Sequence, residues 1–100
     1  MLSRRSSLAL AALAGLTGLQ DLYLHENQIS DITALSGLTG LQNLYLSVNQ
    51  ISDITALATN NGLGAGDSVR LFNNPLDTTP GSQNILDIQA LQARGVNVSY

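Results

Sequence analysis

His25 and Glu26 stand side by side, and an imidazole beside a carboxylate has the makings of an acid–base couple. Adjacent residues of a strand point to opposite faces, however, so the two are expected to act apart, with His25 exposed on one face. Ser30-Asp31 recurs as Ser52-Asp53. Stacked carboxylates of this kind could offer oxygen ligands to a divalent cation. The better-supported reading is capping: Ser and Asp side chains accept hydrogen bonds from the orphan N–H groups that open a short helical turn. Gly62-Leu63-Gly64-Ala65-Gly66 has the glycine density of a nucleotide loop, but it lacks the preceding strand, the following helix and the downstream acidic residue. The sequence contains no Ser–His–Asp order, no paired-histidine zinc motif and no phosphate loop. We therefore expect no enzyme, no bound metal and no cofactor.

The elements that position these residues follow from a repeat. Leu16 to Gly37 reads LTGLQDLYLHENQISDITALSG, and Leu38 to Thr59 reads LTGLQNLYLSVNQISDITALAT, a period of 22 residues. Five positions differ: Asp21/Asn43, His25/Ser47, Glu26/Val48, Ser36/Ala58 and Gly37/Thr59. A short fixed period means that each unit buries its apolar face against its neighbours, which makes a solenoid. Leu22 and Leu24, like Leu44 and Leu46, alternate with period two and mark a short strand with both leucines inward. After Asn27 and Asn49 the apolar spacing lengthens to three (Ile29, Ile32, Leu35; Ile51, Ile54, Leu57), which suits a 3₁₀ or short helical return. Like strands then stack in parallel about 4.7–4.9 Å apart.

The order L-x-x-L-x-L-x-x-N-x-I, with N-Q-I-S-D-I-T-A-L present twice, resembles the leucine-rich repeat family, in particular the 22-residue bacterial class of internalin-type proteins. The resemblance implies an α/β solenoid with short parallel strands on a concave face and 3₁₀ or short helical returns on the convex face. It also implies that Asn27, Asn49 and Asn74 bond backbone groups at the turn, and that the concave sheet is the usual ligand surface.

Five segments of one domain follow. Residues 16–37 and 38–59 are repeats. Residues 60–81 are a degenerate repeat: Leu63 holds the register, whereas Val69, Leu71, Asn74 and Leu76 are displaced by three inserted residues within the stretch holding Gly62, Gly64 and Gly66. Residues 82–100 form a cap, with Ser82 opening a helix over Gln83 to Arg94, Gly95 closing it and a last strand around Val96 to Val98. Its sequence resembles the closing unit of the bacterial repeat proteins. Residues 1–15 admit two readings. Arg4-Arg5 followed by Leu8 to Leu13 and Ala12-Leu13-Ala14 has the layout of a short export signal. Leu10, Ala12, Leu13 and Gly15 also fall 22 residues before Ile32, Ala34, Leu35 and Gly37, so a partial repeat is the preferred reading. A partial repeat would leave an apolar edge at Leu10, Leu13, Leu16 and Leu19, available for self-association with a second copy.

The residues flanking the inward leucines make three rows on the concave face: Asp21, Asn43 and Ser68; Tyr23, Tyr45 and Arg70; and His25, Ser47 and Phe72. The last strand is expected to add Gly95, Asn97 and Ser99. Candidate ligand-binding residues are Asp21, Tyr23, His25, Asn43, Tyr45, Ser47, Arg70 and Phe72, tyrosine and arginine being types enriched at interface hot spots. Tyr also suits any strand and stacks along a ladder without binding anything. Four arginines and no lysine against seven acidic residues, for a net charge of −3, give no basic face for nucleic acid. No apolar run reaches the roughly 20 residues of a membrane span, and the absence of cysteine leaves the compartment open, secreted or cell-surface as well as cytoplasmic. The expected function is a non-catalytic module that binds a protein or peptide. The alternative is the structural end of a larger repeat protein.

Overall fold

The first residue of each alternating apolar pair (Leu22, Leu44, Val69) becomes the centre of a three-residue strand, and the second (Leu24, Leu46, Leu71) follows directly after it. The computed structural model describes residues 10–100. In chain order it contains β1 (Asp21–Tyr23), a 3₁₀ turn (Thr33–Gly37), β2 (Asn43–Tyr45), α1 (Thr55–Ala58), β3 (Ser68–Arg70), α2 (Gln83–Ala93) and β4 (Asn97–Ser99). The strands form one parallel sheet in chain order, pairing Leu22 with Leu44, Leu44 with Val69 and Val69 with Val98. The register absorbs the three-residue insertion, because Asn43 still pairs with Ser68 while Leu63 stays buried and the extra residues fall in the turn between Leu63 and β3. The core between sheet and returns is aliphatic: Ile29, Leu35, Leu44, Ile51, Leu57 and Ile88 are fully buried.

The return of the first repeat is 3₁₀, whereas that of the second is α-helical. Two of the five substitutions between the copies fall at this point. Gly37 is a poor helix former, and Ser36 bonds three residues back, to the Thr33 carbonyl. Thr59 stands in its place in the second copy, and both its N–H and its hydroxyl reach four residues back to Thr55. In both turns the capping group is the aspartate one residue outside the helix boundary. Asp31 Oδ1 accepts from the N–H and hydroxyl of Thr33, and Asp53 does the same with Thr55.

The asparagine ladder joins successive coils. Asn49 Nδ2 donates to the carbonyls of Leu24 and Leu46, and its Oδ1 accepts from Ile29 N–H at 3.0 Å. Asn74 repeats the pattern with Leu46, Leu71 and Ile51. A second seam lies at glycines. A Cβ on Gly40 would stand 2.5 Å from the Thr17 carbonyl oxygen, and one on Gly62 closer still to that of Thr39. Nothing described lies within 4 Å of Gly18, the same position one repeat earlier.

α2 is capped at Ser82, whose hydroxyl accepts from Ile85 N–H. It ends in a Schellman turn at Gly95 (φ +91°), with Val96 N–H bonded back to Leu91. Gly95 therefore belongs to the turn below the sheet and not to the concave surface. β4 instead places Asn97 beside Ser68 and Ser99 beside Arg70. Leu10 is buried, Leu13 and Leu19 are half-buried, and only Leu16 of the expected apolar edge is exposed. Leu13 N–H bonds to Leu10 C=O as Leu35 does to Ile32 and Leu57 to Ile54. Residues 1–9 of the alternative export segment lie outside the described residues.

Candidate functional site

Parallel register turns sequence neighbours in the repeat into spatial neighbours on the concave face. In the first row, Asn43 Nδ2 donates to Asp21 Oδ1 at 2.8 Å. In the second, the Tyr23 and Tyr45 rings lie 4.5 Å apart, tilted by 31°. The Arg70 guanidinium carbon sits 4.4 Å from the other ring centroid partner, Tyr45. Tyr45 is thus shared by an aromatic contact and a cation–π contact. Such contacts contribute about 0.5–1.5 and, at exposed positions, about 0.5–1 kcal/mol respectively, enough to fix rotamers on an open surface. Tyr23 nevertheless remains 56% exposed.

The third row lies beyond the strands. It keeps register because the backbone ladder continues: Glu26 N–H donates to Ser47 C=O and Val48 N–H to Phe72 C=O, both at 3.0 Å. His25 stands 6.5 Å from Tyr45, ring centroid to ring centroid. Two expectations change here. Ser47 is buried, so it forms part of a floor and is not an exposed contact. His25 and Glu26 both line one cavity of about 300 Å³, with Tyr45, Ser47, Val48, Arg70 and Phe72, where strand alternation had placed them on opposite faces. The physical reason is that β1 ends at Tyr23, and Glu26 has a left-handed backbone (φ +58°), so strand alternation no longer applies. Val48 and Asn73 take the same conformation in the following coils.

The convex surface carries carboxylates. Asp31, Asp53 and Asp77 form equivalent turns with Thr33, Thr55 and Thr79. Asp77 was not among the sequence candidates, although a third D-x-T triplet marks it. The Asp31 carboxyl is held below its ordinary value of 3.8 first by the Thr33 N–H and then by its hydroxyl. Asp53 and Asp77 are lowered likewise, there chiefly by the hydroxyls of Thr55 and Thr79. Each carboxylate is thereby committed to a capping turn. Among the described residues no group of three or more His, Cys, Asp or Glu is arranged to hold a metal ion, and no helix is long and apolar enough to cross a membrane.

Sequence reasoning also missed Arg94 as a linking residue. Its guanidinium donates to the carbonyls of Leu63, Ala58, Asn60 and Leu57. Those acceptors lie 31 to 37 residues away, at the end of α1 and in the turn that follows it, and nothing in the local sequence announces them.

Comparison with known proteins gives the same architecture. Residues 13–59 match the leucine-rich-repeat family model in two copies. The chain is similar to the crystal structure of an internalin C2 from Listeria monocytogenes strain 4b F2365, at 33% identity and a TM-score of 0.67. That match covers 90% of this chain and 38% of the internalin chain, so the sequence spans well under half of its relative. No curated protein matches. The chain is a leucine-rich-repeat protein of the bacterial, internalin-like type, a fold used for protein-interaction modules.

Proposed function

We propose that this internalin-like leucine-rich-repeat protein is a non-catalytic module that holds a protein or peptide ligand on its concave sheet. The observation that carries the reading is the Tyr23–Tyr45–Arg70 stack, in which two aromatic rings and a guanidinium are already ordered on an exposed surface. Anchors ordered in advance lose little side-chain entropy on binding, and Tyr and Arg are the types that dominate interface energetics. Asp21, Asn43, His25 and Phe72 border the stack, with Ser47 beneath. The test is selection of binders from a random-peptide display library against the full chain. Binders are expected to be lost on Tyr45→Ala while the melting transition is unchanged; binders indifferent to that substitution would overturn the assignment.

A second reading draws on the 38% coverage of the internalin chain. Here the chain acts as the structural end of a larger repeat protein, with no partner of its own. Failure of the display selection, together with a melting transition that appears only when further repeats are attached, would favour it.

A further inference from the structure

Arg70 is exposed, and among the described residues its guanidinium makes no hydrogen bond or ion pair; it lies over the Tyr45 ring. A guanidinium whose N–H donors are not spent on protein acceptors keeps them available, and its planar fork matches a carboxylate. Arg94 shows the contrast, since its donors are spent on backbone carbonyls.

Beside Arg70 lies the cavity of about 300 Å³. This is the low end of the about 300–1,000 Å³ typical of ligand sites, suited to one or two side chains. Its apolar wall is Val48 and Phe72, 40% and 42% exposed. Val48 has φ +58°, a conformation unfavourable for a β-branched residue by about 1–3 kcal/mol. The next coil places Asn73, a type that tolerates this backbone, at the equivalent point. A strained and exposed valine at a cavity rim contributes little to the fold. The duplication adds a separate signal. Of the five positions at which the copies differ, His25/Ser47 and Glu26/Val48 supply four of the residues lining this cavity, while the core positions are identical.

We infer that the cavity receives an acidic residue of an extended partner segment, its carboxylate on the Arg70 guanidinium and a neighbouring apolar side chain against Val48 and Phe72. The inference rests on the concave-face reading and adds the chemistry of the ligand. Charge complementarity selects the occupant. Arg70 is the one cation that the described concave surface offers, and Glu26 belongs to the first coil, two strand spacings or about 10 Å from the third. The guest carboxylate therefore sits toward β3 and away from β1.

The test uses peptides recovered by the display selection on the full chain, each resynthesised with its acidic residue changed to the corresponding amide. The acid form is expected to bind about tenfold or more tightly than the amide, as a charge-assisted pair requires. Arg70→Gln should erase that difference, Arg70→Lys should restore part of it, and all three proteins should melt alike. If binding is lost on Tyr45→Ala yet acid and amide peptides bind equally, the carboxylate site is wrong and the concave-face reading stands. If no peptide is recovered, or recovered peptides ignore Tyr45→Ala, both fall.

Discussion

Arg94, the residue that closes α2, donates from Nη1 to the carbonyl of Ala58 at 2.8 Å, across 36 residues of sequence. Ala58 ends α1, where unpaired carbonyls and the negative end of the helix favour a cation. The same guanidinium also reaches Leu57, Asn60 and Leu63. One side chain thus ties the capping helix to the return of the repeat beneath it.

Arg94→Ala is expected to destabilise the fold by about 3 kcal/mol, since hydrogen bonds from a charged donor contribute about 1.5–3 kcal/mol and the carbonyls would be left without it. Arg94→Lys should recover only a fraction, because an ammonium cannot fork to several carbonyls. Denaturant unfolding measures both; a loss under about 1 kcal/mol for the alanine variant would show the clasp to be incidental.

The glycine seam gives a graded series at one repeat position. Gly62→Ala and Gly40→Ala press a methyl against a carbonyl of the preceding coil and should cost about 1–3 kcal/mol, Gly62 the more. Gly18→Ala meets nothing described and should stay within about 0.5 kcal/mol of the parent. Thermal melts of the three variants decide the order. An equal loss at all three would remove interrepeat contact as the cause.

Val48→Asn should raise stability by about 1 kcal/mol, because asparagine accepts the left-handed backbone that valine resists. If the wall of the cavity contacts ligand, the same change should weaken peptide binding while raising the melting temperature. A variant that loses stability would show the strain to be compensated by packing.

Acid should loosen the convex turns. Asp31, Asp53 and Asp77 have carboxyls lowered by threonine N–H and hydroxyl groups. A carboxyl that is more acidic when folded contributes stability above its unfolded value of 3.8, and that contribution is lost as pH falls through the folded value. A triple Asp→Asn variant keeps an acceptor in each turn. Its melting temperature should therefore fall less than the parent's on acidification through this range, and parallel pH profiles would sink the argument.

How much of this was legible in the sequence depends on whether the period carried it. The pairing of Leu22 with Leu44 and the ladder of Asn49 and Asn74 follow from stacking equal coils, so the sheet and its register could be read directly. The three-residue insertion was readable because Leu63 keeps the 22-residue register before it while Val69 and Leu71 keep their alternation after it. The Arg94 clasp was not readable, since its acceptors are backbone carbonyls of α1 and of the turn after it, and a carbonyl carries no side-chain signature. The shared cavity of His25 and Glu26 was hidden for a different reason. Strand alternation was extended past the end of β1, into a residue whose backbone had already changed hand.

The Tyr23–Tyr45 contact also makes the molecule self-reporting. The chain has no tryptophan and three tyrosines, the third being the terminal Tyr100. Two rings 4.5 Å apart on successive coils should couple their near-ultraviolet transitions and give a circular dichroism band that isolated tyrosines lack. That band would register separation of the first coil from the second without a label. Set beside the far-ultraviolet signal of α2, it could reveal whether the array opens from one end or all at once.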